Sequence, residues 1–141
     1  MSDEQRISEA VFKIFNLSDN RLWHYRAVIM RVIDGDTCVA AIDLGFNNIK
    51  MERLRLAGID APELRPKKAG RTEEDLQNEK ARANIAAERV RELIEGRQVV
   101  IQTKKTGKFG RWLAVIYLPG DPTRTVNQLL LEEGLAVEYP K

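Results

Sequence analysis

Two short acidic turns constrain this chain more than anything else in it. The first is Val32-Ile33-Asp34-Gly35-Asp36-Thr37 and the second is Gly58-Ile59-Asp60-Ala61-Pro62-Glu63. Each follows a run rich in apolar and β-branched residues, and Asp-Gly between two such runs is a strong short signal for a turn joining strands. Carboxylates crowded together oppose one another's ionisation unless positive charge offsets them. If the two turns meet, Asp34, Asp36, Asp60 and Glu63 form one acidic cup. A hard, oxygen-ligated cation is the simplest partner for such a cup.

Strand pairing predicts that they do meet. Strand one runs from Tyr25 to Ile33, strand two from Thr37 to about Leu44, and strand three from Lys50 to Ala57 after a turn at Gly45-Phe46-Asn47-Asn48. In an up-down-up meander the end of strand one, the start of strand two and the end of strand three share one sheet edge. Asp36 opens strand two and Asp60 follows strand three, so antiparallel pairing alone brings them together. Within strand three, Leu54 and Leu56 alternate with Arg53 and Arg55, which turns Arg55 away from the core-facing row. A guanidinium there can neutralise the carboxylates or grip a phosphate in bidentate fashion.

The remaining elements fall into place around this edge. Ser2 and Gln5 make a capping box, and Ile7, Ala10, Val11 and Ile14 follow at helical spacing, which predicts an amphipathic helix over 3–15. It either packs on the body of the domain or serves as an arm for a protein partner or for self-association. Residues 1–20 are read as this helix and a linker, and residues 21–141 as one domain, a size that buries a real core. Thr72 caps a long helix ending at Gly96, with Leu76, Ala83, Ala87, Val90 and Ile94 as its inner stripe and its other charges read as solvated surface. Strand four is Gln98–Lys104, strand five is Trp112–Leu118, Pro119–Pro122 is a turn, and Val126–Glu133 a short helix. Spacing leaves open which way Arg111, at the foot of strand five, faces. The order predicts a mainly β, α+β fold: a five-stranded Greek-key barrel of the OB type, with one long helix between strands three and four.

Composition narrows the chemistry. The single histidine, His24, and single cysteine, Cys38, exclude an internal disulfide and make a His/Cys zinc site a poor fit, so a metal here is held by oxygens. Cys38 reads as a small core residue and His24 as a packed or surface one. A net charge of +2 conceals two basic loops, Arg65, Lys67, Lys68 and Arg71 in one and Lys104, Lys105, Lys108 and Arg111 in the other. Basic loops beside an acidic cup suit a phosphodiester. No apolar run approaches the ~20 residues that span a bilayer, and the acidic start lacks the features of a signal peptide, so the expected location is cytoplasmic, with no membrane partner.

The chain resembles the staphylococcal nuclease (thermonuclease) family. The likeness rests on Val-Ile-Asp-Gly-Asp-Thr at 32–37, Leu-Arg-Leu-Ala-Gly-Ile-Asp-Ala-Pro-Glu at 54–63 and Lys-Phe-Gly-Arg-Trp-Leu-Ala at 108–114. It covers about residues 25–137. It implies a calcium ion bound by Asp36, Asp60 and the main-chain carbonyl of Ala61, with Asp34 close behind them. It also implies Glu63 as general base, Arg55 and Arg111 as ligands of the scissile phosphate, and Lys108 and Phe109 as contacts to another phosphate; Lys67 and Lys68 are added as substrate contacts from their basic loop. The implied activity is calcium-dependent hydrolysis of DNA or RNA with little sequence preference, leaving 3′-phosphates. The alternative is a catalytically inactive nucleic-acid-binding module. Phe109 stands where the family has a tyrosine, and Tyr139 is a poor substitute for the family tyrosines that pack on the bound nucleotide.

Overall fold

A computed structural model describes residues 1–15, 21–104 and 111–140. In chain order the elements are α1 (Asp3–Phe15), β1 (His24–Asp34), β2 (Thr37–Asp43), β3 (Ile49–Leu56), β4 (Ile59–Asp60), α2 (Glu73–Ile94), β5 (Gln98–Lys104), β6 (Trp112–Leu118), β7 (Asp121–Thr125), α3 (Val126–Glu132) and β8 (Val137–Glu138). β1 pairs antiparallel with β2 and β5, β2 with β3, and β5 with β6. β3 and β6 then run parallel, Leu54 beside Trp112, Arg55 beside Leu113 and Leu56 beside Ala114, and this pairing closes a five-stranded barrel. The predicted fold class holds, with the long helix between the third and fourth barrel strands.

Alternation decides what fills the barrel. Ile29, Cys38, Leu54, Leu56, Ile101 and Ile116 are fully buried, each at an inward position of its strand. Burial pushes the Cys38 thiol up to about 12, which keeps it a small apolar group. In β3 the leucines face in, Arg53 is exposed and Arg55 half-buried, as the alternation requires.

α2 begins where its cap predicts. The Thr72 hydroxyl accepts the Asp75 N–H at 3.1 Å, and the Asp75 carboxylate accepts the Thr72 N–H at 3.3 Å. The whole predicted stripe is buried, joined by Ala86. The far end of the helix is fastened to β1: Gly96 N–H donates to the Ile29 carbonyl at 2.7 Å, and Val32 N–H donates to Glu95 Oε2 at 2.9 Å. α2 is thereby held against the strand that leads into the first acidic turn.

Contact between the two turns is direct. A Cβ placed on Gly35 would lie 2.9 Å from the Ala86 Cβ and 3.0 Å from the Ala61 Cβ, so the first turn, the second turn and α2 approach too closely for any side chain at that point. Behind them, buried Asn127 donates from Nδ2 to the Ala57 carbonyl at 2.9 Å and the Ala114 carbonyl at 3.1 Å, and accepts the Ile116 N–H at 3.1 Å. It ties α3 to β6 and to the residues just before the second turn.

Three features differ from the sequence reading. Residues 1–14 are exposed throughout, so α1 does not pack its Ile7, Val11 and Ile14 stripe into the body. The Pro119–Pro122 turn continues into a further strand, β7, paired with β6. β8 pairs with β4, the second acidic turn itself. Among the described residues no helix is long and apolar enough to cross a membrane.

Filling the Gly35 gap should strain three elements together. Gly35→Ala is expected to lower stability by about 1–3 kcal/mol in urea unfolding, the usual range for overpacking a close contact, and an unchanged midpoint would contradict the contact.

Candidate active site

Asp36 stands at the start of β2 with 4% of its surface exposed. Its carboxylate accepts the Ala61 N–H at 2.8 Å on Oδ2, Arg55 Nη1 at 3.3 Å on the same oxygen, and the Thr37 hydroxyl at 3.0 Å on Oδ1. Burial raises its pKa above the ordinary value, against the lowering effects of the Ala61 N–H, Arg55 and Thr37. The second turn is therefore anchored to the first through a carboxylate.

Arg55 joins that carboxylate to the next one. Its Nη2 donates to Asp60 Oδ1 at 3.1 Å and to the Ile59 carbonyl at 3.3 Å. Of a guanidinium's five N–H donors, these three contacts engage three and leave two. The Tyr139 ring lies 5.6 Å from the Arg55 Cζ, a cation–π contact brought about by the pairing of β8 with β4. The sequence reading set Tyr139 aside as a stand-in for the family tyrosines; its place is beside the arginine.

The remaining acids are arranged differently from a single cup. Asp34 Oδ1 accepts the Leu64 N–H at 3.3 Å, and Glu63, exposed, is held through its own N–H, which donates to Glu79 Oε2 at 3.0 Å. No cluster of three or more His, Cys, Asp or Glu side chains suited to a metal stands among the described residues. The four-carboxylate cup thus narrows to Asp36 and Asp60 sharing Arg55. Asp34 is occupied with the main chain of the adjacent loop.

The donors that remain still suit a hard cation. They are all oxygens, one of them on a carboxylate whose ionised form is disfavoured by burial and would be relieved by nearby positive charge. His24 lies elsewhere, with its Nδ1 2.9 Å from the Arg21 carbonyl and its ring 5.9 Å from that of Tyr117.

A cleft of about 460 Å³ brings Asp60, Ala61, Glu63 and Lys67 together with Arg71, Glu79 and Arg82. The Lys67 and Lys68 side chains are exposed on the loop between Glu63 and α2, a loop held by Arg71 through the carbonyls of both lysines. Arg111 is half-buried. It immediately precedes β6, in which Leu113 lies beside Arg55. Lys108 and Phe109 lie outside the described residues. Sequence reasoning missed Glu79, which sat among α2 charges read as solvated; its spacing from the inner stripe carried no signal of a contact.

Comparison with known proteins adds an independent finding. Residues 53–141 match the family described as Staphylococcal nuclease homologue. The chain is 31% identical over 121 residues to the Micrococcal nuclease of Shigella flexneri, and 30% identical over 121 residues to Protein ParB of Escherichia coli. These alignments cover 82% and 81% of this chain but 59% and 57% of the relatives, so the chain spans under three-fifths of their length. The family match takes in Arg55, Asp60, Glu63 and Arg111 and begins after Asp34 and Asp36.

Asp36 lends itself to a test by pH. Between the ordinary value of 3.8 and its raised one, the folded chain keeps a proton that the unfolded chain has lost, so the Asp36 contribution to stability declines as pH climbs through that window. Asp36→Asn removes this decline. In chelator-treated buffer at pH 7 its urea midpoint is expected to lie above that of the wild-type chain; a lower one would contradict the assigned burial cost.

Proposed function

Because this chain belongs to the family of staphylococcal nuclease homologues, we propose that it is a metal-dependent nuclease hydrolysing phosphodiester bonds of DNA or RNA. The observation that carries the reading is the shared grip of Arg55 on Asp36 and Asp60, which sets a guanidinium with two N–H donors to spare beside paired carboxylates. Asp36, Asp60 and the Ala61 carbonyl would hold calcium, with Asp34 behind them. When bound, calcium supplies Lewis-acid polarisation of a phosphoryl oxygen and charge stabilisation.

The chain's own groups do the rest. Glu63, exposed in the cleft beside Asp60, accepts a proton from the attacking water. The water oxygen bonds to phosphorus as the bond to the 5′-oxygen breaks, and the departing oxygen takes a proton from solvent, leaving a 3′-phosphate on one product and a 5′-hydroxyl on the other. Arg55 and Arg111 bind the non-bridging oxygens and stabilise the charge that grows there. Lys67, Lys68, Lys108 and Phe109 contact the strand beyond the scissile phosphate, in a sequence-independent way that suits backbone recognition. Residues 21–141 form the nuclease domain, and residues 1–20 are an appendage whose exposed helix serves a partner or a second copy.

Cleavage of plasmid DNA and of RNA, with calcium and then with chelator, tests the reading. Calcium-dependent cutting of at least one is expected, whereas binding without cutting would point to an inactive module. Glu63→Gln and Arg111→Ala should each lower kcat by about 100-fold or more while leaving the circular dichroism spectrum unchanged. Millimolar calcium should raise the melting temperature of the wild-type chain, since the ion binds only where the two turns converge; no shift would remove Asp36 and Asp60 as its ligands.

A further inference from the structure

The Glu63 side chain is exposed, and no described side chain or main-chain group hydrogen-bonds its carboxylate. The main chain that carries it is therefore what limits where that carboxylate can reach. Two consecutive amides fix this main chain, Glu63 N–H donating to Glu79 Oε2 at 3.0 Å and Leu64 N–H to Asp34 Oδ1 at 3.3 Å. The two acceptors come from different elements, α2 and β1, each already fastened to the barrel.

Glu79 does more than accept one N–H. Its other oxygen, Oε1, accepts from Arg71 Nη2, so a single carboxylate clasps both ends of the loop from Glu63 to Arg71. The side chain is only 16% exposed although it lies on a charged helix face. It stands on a 22-residue helix whose inner stripe is buried along its length.

We propose that Glu79 is a positioning residue that holds Glu63 in place for proton abstraction, by bonding its amide and closing the adjoining loop. The inference rests on the nuclease reading. Glu79 touches neither substrate nor water in this role; it acts only through residue 63. A base displaced by about an ångström loses on the order of 100-fold in rate, so loss of the tie should appear in turnover and not in binding.

The test combines kinetics with amide exchange on the full chain. Glu79→Ala is expected to lower kcat on calcium-dependent DNA cleavage by about 10- to 100-fold with KM changed by less than about threefold. Glu79→Gln, whose amide oxygen can still accept the Glu63 N–H, should recover most of the loss. In a Glu63→Gln background Glu79→Ala should cost nothing further, because the two act as a unit. By nuclear magnetic resonance, the residue 63 amide should be protected from exchange in the wild type and in Glu79→Gln, and unprotected in Glu79→Ala. Glu79→Met, which keeps the volume and removes both acceptors, takes the place of the alanine variant if that does not fold.

Wild-type kcat in Glu79→Ala, whether or not the amide stays protected, would overturn the proposal. So would an equal further loss in the Glu63→Gln background. A wild-type chain that cuts no nucleic acid would overturn the nuclease reading instead, and a residue 63 amide unprotected in that same chain would overturn the tie as well.

Discussion

The carboxylate of Asp36 accepts hydrogen bonds from three parts of the chain: Thr37 beside it, the Ala61 amide of the second turn, and Arg55 of β3. Taking an ionised carboxylate out of water is costly unless its lone pairs are met, and charged donors meet them best. Here the donors come from segments that must converge before they can serve. The second turn sits where it does because an acid needs its N–H, and Gly35 is the residue that lets the segments come near enough. Asp60 then shares Arg55, so one guanidinium faces two carboxylates.

Much of the barrel was legible because its signals are periodic. Gln98–Lys104 and Trp112–Leu118 match the strands read from the sequence, and α2 begins at the residue after the capping threonine. Alternation of Leu54 and Leu56 with two arginines encodes both the core and the outward place of Arg55, since period two and burial on one face are one physical fact. β7 escaped because Asp121-Pro-Thr-Arg-Thr is polar and carries a proline, which cannot donate to a ladder and is confined to edges. The β4–β8 pair escaped because two residues on each side are too few to show a period. α1 was read correctly as a helix, but its amphipathic pattern could not say whether the body of this chain offers a surface to cover it.

The site was legible to the extent that it is built from main-chain topology. Strand order brought Asp36, Arg55 and Asp60 together, as a meander must. The fates of Asp34 and Glu79 were hidden, because a carboxylate that accepts a loop amide leaves no mark in residue spacing. The same holds for Arg89, which looked like a solvated helix charge and makes a bidentate pair with Glu133 across α2 and α3. Charges on a helix face are mostly solvated, but nothing in the pattern tells the few that are tertiary from the many that are not.

One contact at this site serves two purposes that pull against each other. Arg55 stabilises the folded chain by offsetting Asp36, whose ionisation burial otherwise disfavours, yet the proposed chemistry asks the same guanidinium to turn toward a phosphate. The conflict is eased by donor number. Two N–H groups remain after the contacts to Asp36, Asp60 and Ile59, so phosphate can be bound without breaking the pair. Lysine could not do this, because an ammonium lacks the planar fork that faces carboxylates on one side and a phosphoryl group on another. The Tyr139 ring limits the directions in which the guanidinium can swing, so β8 contributes to the site although it carries none of its chemistry. A buried acid that must be offset, held by an arginine with donors left over, lets the interactions that close the turns persist while the spare donors serve the proposed binding of a phosphodiester.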